Sequence, residues 1–172
     1  MSEDFTTTYT VDQTPAEVFA AVTDVRGWWV DAIEGGTTEL GDEFIFHNEP
    51  IHRSVQRLTD VVPGERVEWL VLEAELNFVE DTAEWVGTRI RFDITPTDSG
   101  TRLTFTHLGL VPAHECYEIC HDAWSWYINV SLKRRITTGV GQPGQVPDDA
   151  LRAPVRVGDL LSGGRGGGVG SS

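Results

Sequence analysis

Lysine is almost missing from this chain. Lys133 is the only one among thirteen basic residues, set against twenty-seven acids for a formal net charge of −14. A surface of that sign repels nucleic-acid phosphates and anionic bilayers, which argues against nucleic-acid and membrane partners. Cysteine is nearly as scarce, with Cys116 and Cys120 the only two. With no framework of paired cysteines, the fold has to be held by burial, and both thiols are expected to be reduced. No basic segment leading into an apolar stretch opens the chain, and no run of about eighteen apolar residues occurs in it. Neither export nor membrane insertion is signalled, and a cytoplasmic location is the expectation. Phosphate loops, HExxH and nucleophile elbows are missing too.

What is present is a globular composition. The 172 residues are 40% hydrophobic and 9% aromatic, enough for one domain with a proper core. Phe5, Thr7, Tyr9 and Val11 alternate with threonines and read as a first strand. Thr14-Pro15-Ala16-Glu17 is a capping box that starts a short helix to about Thr23. Asp24 to Trp29 forms a second short turn or helix that delivers two tryptophans. Strands follow around 43–48, 53–62, 66–76, 88–95 and 101–108. Pro63-Gly64 and the turn at 97–100 join neighbours into an antiparallel meander. The phase of the middle strand is ambiguous: Val67, Trp69 and Val71 argue for one face, Leu70, Leu72 and Leu76 for the other.

After Pro112 a long helix is expected to about Thr138, acidic in its first half, basic in its last turns and closed by Gly139. These elements make an α+β domain over residues 1–139. Residues 140–172 hold nine glycines and three prolines and are expected to be a flexible tail.

The stretch HECYEICH, residues 114–121, has the residue types of a metal or redox site. On a helix, however, Cys116 and Cys120 point roughly 100° or more away from His114 and His121, and those two histidines are about 10.5 Å apart along the axis. Side chains so dispersed do not converge on one zinc, and no metal site is expected. The cysteines fall instead on a stripe with Tyr117, Ala123, Trp124, Tyr127, Ile128 and Ser131. Glu115, Glu118, Asp122, Ser125, Asn129 and Lys133 take the opposite side. Core packing and the lining of a ligand cavity both fit that stripe.

The order of elements resembles the helix-grip fold of the START-like (SRPBCC) superfamily. The resemblance is carried by TPAEVFAAV, the Trp28-Trp29 pair, GERVEW at 64–69, TRLTFTHLGL at 101–110 and AWSWYINVSLKRRITTG at 123–139. Within that superfamily the chain looks most like the activators of the heat-shock-protein-90 ATPase and their prokaryotic homologues. The resemblance implies a curved antiparallel sheet of about six or seven strands wrapped around a long C-terminal helix, with two short helices after the first strand. It also implies a hydrophobic cavity between the sheet and that helix.

His107 alternates with Phe105 and Leu103, so it faces inward, where a polar group can orient a ligand. Trp69, Phe92, Phe105, Trp124 and Tyr127 supply apolar walls, with Cys120 beside them. These seven are the candidate ligand-binding residues. The expected function is binding of a small hydrophobic molecule, with no cofactor, no metal and no assigned catalytic residue. The alternatives are a cyclase or hydrolase using His107 or Glu73, or a co-chaperone with a chaperone partner.

Overall fold

The structure, a computed structural model, describes residues 4–48 and 50–147. Seven strands form one antiparallel sheet in the order β1-β7-β6-β5-β4-β3-β2. They are β1 (Phe5–Val11), β2 (Ile33–Gly35), β3 (Glu43–Asn48), β4 (His52–Val62), β5 (Arg66–Leu76), β6 (Arg89–Pro96) and β7 (Thr101–Leu108). α1 (Pro15–Thr23) and a 3-10 turn at Val25–Gly27 follow β1. α2 (Tyr117–Trp126) and α3 (Lys133–Thr138) are joined by a π-helical segment, Tyr127–Leu132. This is the α+β helix-grip architecture that the sequence implied. The short β2 was not anticipated: its three residues carry no periodic pattern.

Local chemistry sets the boundaries. Thr14 accepts from the amide of Glu17 at 3.1 Å, and Glu17 accepts from the amide of Thr14 at 2.9 Å, so the capping box forms as read. Gly139 closes α3 at φ +88, a left-handed cap that any side chain would strain.

The ambiguity of the middle strand has a physical cause. β5 pairs with β4 as Gln56↔Val71 and then Val55↔Glu73, so Leu72 is an extra residue in a bulge. The bulge reverses the phase. Val67, Trp69 and Val71 point inward before it, Ala74 and Leu76 after it, and all five are buried. Both sets of clues were partly right, for different halves of the strand.

The C-terminal helix departs from the expected shape. Residues 112–116 are turns, so α2 begins at Tyr117. The π segment widens one turn, and residues beyond it rotate relative to an ideal helix. Within the segment both Ser131 and Leu132 are fully buried. Asp122, placed by the pattern on the solvent side, is 4% exposed and lies 3.1 Å from Nδ1 of His121.

Ordered chain continues past the expected boundary at 139. The amide of Gln142 donates to Ser131 Oγ, the amide of Gly144 donates to the carbonyl of Trp29, and Val146 packs on the core. The start of the segment assigned to the tail is thus part of the domain. Residues 148–172 lie outside the described residues.

Candidate functional site

A cavity of about 200 Å3 lies between the inner face of β3 and β4, the 77–88 connection and α2. Its rim is partly exposed, through Asn48, Ile51, Phe78, Ile119 and Val146. Its wall is a closed circuit of aromatic rings. Trp29 meets Phe46 at 4.3 Å between centroids, Phe46 meets His52 at 4.5 Å, and His52 meets Trp85 at 4.7 Å. Trp85 stacks on Trp124 at 5.9 Å, and Trp124 returns to Trp29 at 5.0 Å. All five residues line the cavity, together with Cys120, Ala123 and Tyr127. Aromatic pairs at these separations stabilise one another beyond their buried area, so the wall is stiff.

His107 braces that wall from behind without reaching the cavity. It is fully buried on β7, and the indole N–H of Trp124 donates to its Nδ1 at 3.0 Å. With Nδ1 accepting, the neutral ring carries its proton on Nε2, which bonds Thr88 Oγ1 at 2.8 Å. Thr88 in turn donates to the carbonyl of Trp85 at 2.6 Å. One chain of hydrogen bonds thus connects two tryptophans of the wall. Burial, with the nearby His114 and His52, pushes the His107 pKa down to about 3, so the ring stays neutral at ordinary pH.

The inner face of β4 is polar where an antiparallel sheet normally buries apolar side chains. His52, Ser54 and Gln56 point inward in succession, opposite Asn48, Phe46 and Phe44 of β3. His52 Nε2, Ser54 Oγ and both amide atoms of Gln56 are shielded and have no hydrogen-bond partner among the described residues. The indole N–H groups of Trp69 and Trp85 are in the same condition. Buried polar groups are normally satisfied, so a cluster of orphans marks a special place. Burial pushes the His52 pKa down to about 3 as well.

Both cysteines are free and buried. Cys116 is hydrogen-bonded to Cys120, and that bond together with burial pushes its thiol pKa far upward, the reverse of what thiolate chemistry requires. Glu84 caps the start of α2 from outside: its carboxylate accepts from the amides of Glu115 at 2.9 Å and Cys116 at 3.1 Å. Glu115 answers by accepting from the amide of Asp81 at 3.1 Å. These bonds tie the 77–88 connection, which carries Phe78 and Trp85, to the helix. Among the described residues no three His, Cys, Asp or Glu side chains converge for a metal, and no helix is long and apolar enough to cross a membrane.

Of the seven residues picked from sequence, Cys120, Trp124 and Tyr127 line the cavity, while Trp69, Phe92, Phe105 and His107 do not. Trp69 and Phe92 sit in the core against Trp28, and Phe105 lies beneath Trp124. Sequence reasoning missed Trp29, Phe46, His52 and Trp85 as wall residues. A signal was available for two of them. The alternation His52, Ser54, Gln56, Leu58 fixes the phase of β4, and a tryptophan in the otherwise polar segment EDTAEWVGT has to bury itself somewhere.

A sheet gripping its last helix, with a cavity between them, defines a helix-grip domain. Residues 12–136 match the family model for Activator of Hsp90 ATPase homolog 1-like protein, and the chain belongs to that family. Among solved structures it is similar to the Aha1 dimer from Colwellia psychrerythraea, at 22% identity over 81% of this chain and 99% of that one, with a TM-score of 0.66. It is also similar to protein MLL2253 from Mesorhizobium loti, at 17% identity over 74% and 92%, TM-score 0.61. DynU16, from the dynemicin biosynthetic locus, matches at 17% identity and a TM-score of 0.57 over 82% of this chain and 49% of its own. At these identities the likeness is one of fold. A comparison with curated proteins finds no significant match.

Proposed function

We propose that this chain is a binding protein for a small hydrophobic molecule held against the aromatic wall between β3, β4 and α2. The observation that carries this reading is the closed circuit of Trp29, Phe46, His52, Trp85 and Trp124 around a cavity of about 200 Å3. Apolar cavities of about 150 Å3 accept benzene, so the space suits a single ring with a short substituent. A multi-ring molecule or a long acyl chain would extend past the partly exposed rim. A one-ring ligand at a hundred times its Kd would stabilise the fold by about 2.7 kcal/mol, readable as a rise in melting temperature. If no one-ring compound raises it at saturating concentration, the reading fails.

Binding without turnover is the form of the proposal that the hydrogen bonds support. His107, the leading acid or base candidate, has both ring nitrogens engaged and stands behind Trp124. Glu73 is paired with Arg53 at 3.4 Å on the strand pair β4–β5 and does not line the cavity.

A second reading, partnership with an Hsp90-type chaperone, is supported by the family match alone. A pull-down with purified chaperone tests it. Enrichment that survives blocking the cavity would make the surface, and not the cavity, the working part.

A further inference from the structure

We infer that the ligand of this cavity is neutral and bears an oxygen acceptor, held by the indole N–H of Trp85 and the imidazole of His52. The inference rests on the cavity being a binding site, and it assigns that site a polar end.

Trp85 is 3% exposed, lines the cavity, and its Nε1 has no partner among the described residues. An indole N–H only donates, so whatever meets it must accept. His52 stands beside it, ring centroids 4.7 Å apart and planes at 87°, and its shielded Nε2 is also unpartnered. The tautomer of His52 is free to present either a donor or an acceptor there. Trp85 and His52 are neighbours in the aromatic circuit, so the two orphans belong to one stretch of the cavity wall. Ser54 and Gln56 continue the same polar row along β4, deeper than the cavity lining.

The lining also speaks to charge. Among the described residues it contains no Arg, Lys, Asp or Glu, so a carboxylate or an ammonium entering it would lose its hydration and gain no counter-ion from them. Burial keeps His52 neutral, which leaves no positive charge among the described lining residues. The aromatic faces alone would suit a cation, but an N–H donor directed at a cation repels it. The net charge of −14 further disfavours anions. A ring carrying a carbonyl, amide or hydroxyl group meets the N–H donor at no electrostatic cost.

The test uses the full chain and four probes of one size: benzamide, benzoate, benzylammonium and toluene. Dissociation constants are measured by titration calorimetry or ligand-observed NMR. Benzamide is expected to bind at least 10-fold more tightly than the other three. Trp85→Phe removes the N–H and keeps a ring. It should weaken benzamide about 10-fold more than it weakens toluene, whose loss reports the smaller ring alone and whose remaining binding reports an intact cavity. His52→Phe should lower the preference in the same direction. Equal affinity for benzamide and toluene would overturn the polar end while leaving the binding reading in place. A preference for benzoate or benzylammonium would overturn the assignment of a neutral ligand. Binding of none of the four would overturn the binding reading and this inference together.

Discussion

The indole N–H of Trp124 donates to Nδ1 of His107 at 3.0 Å, joining the helix to β7 through a fully buried pair. Because Thr88 and the Trp85 carbonyl complete the chain, this one bond helps hold two adjacent, stacked members of the cavity wall, Trp85 and Trp124, in place. His107→Leu strands the indole N–H of Trp124 and takes away the donor to the Thr88 hydroxyl, which keeps its bond to the Trp85 carbonyl, at an expected cost of about 1–3 kcal/mol. Trp124→Phe keeps most of the ring and should cost about 1–2 kcal/mol. The double variant is expected to lose less than the sum, by at least about 0.5 kcal/mol in a urea-denaturation cycle. Strict additivity would mean that the bond does not couple the two elements.

Acidification should expose the same histidine. Its folded pKa, about 3, lies below the ordinary 6.5, so the unfolded chain binds the extra proton first as pH falls. The stability this neutral histidine contributes is complete above pH 6.5 and is lost between pH 6.5 and about 3, by at most about 1.4 kcal/mol per pH unit. Carboxylates titrate in the same window, so the comparison is with His107→Gln. The wild type is expected to lose stability more steeply than the variant between pH 6.5 and 5. Parallel curves would contradict the buried neutral imidazole.

On the outer face of the sheet, Glu68 lies between Arg89 at 3.0 Å and Arg91 at 2.8 Å, with Thr59 at 3.2 Å. Burial works to raise its pKa, but the two guanidiniums and the hydroxyl prevail and hold it below the usual carboxylate value. The arginines are well exposed, which limits the worth of each pair. Glu68→Gln is expected to cost about 1–2 kcal/mol at pH 7, and the difference from wild type should shrink as pH falls through the carboxylate range. A neutral result would class the cluster with ordinary surface pairs.

The thiols should be inert in the folded protein. Cys116 is fully buried, bonded to Cys120 and pushed upward in pKa. Reaction with a disulfide reagent at pH 8 is expected to be slow in buffer and fast in denaturant. Rapid labelling of the native chain would contradict the burial of this pair.

Most of the fold was legible in the sequence. The capping box at Thr14, the strands 43–48, 66–76 and 101–108, and the inward phase of His107 are all in the structure as read. What was not legible depends on non-local geometry. The bulge at Leu72 sets the phase of β5 through pairing with β4, and the π segment shifts α3 relative to an unbroken helix. The site suffered more than the fold. Trp69, Phe92 and Phe105 are inward-facing as expected, yet inward-facing residues divide between packed core and cavity wall only when the 77–88 connection is placed. Trp85 sits on that connection, where no periodicity speaks.

The HECYEICH stretch, which has the residue types of a metal site, instead begins a helix tied down by Glu84. Its contribution to the cavity is Cys120 and the neighbouring Ile119. Ala123→Met should fill the space from α2 without breaking the wall, since Ala123 lines the cavity and is only partly buried. That variant is expected to fold with a stability within about 1.5 kcal/mol of wild type and to lose affinity for one-ring compounds. Retained affinity would move the binding site elsewhere.

The most direct measurement is the set of indole N–H resonances of the six tryptophans, followed as benzamide is titrated into the full-length chain. The signal of Trp85, whose N–H has no partner among the described residues, is predicted to move farthest and in saturable fashion. That of Trp28, which does not line the cavity and is bonded to the Val22 carbonyl, should move little. Saturable movement of Trp85 would establish an occupied cavity, and movement that toluene does not reproduce would establish its polar end. Indole signals that stay in place up to the solubility limit would contradict the account.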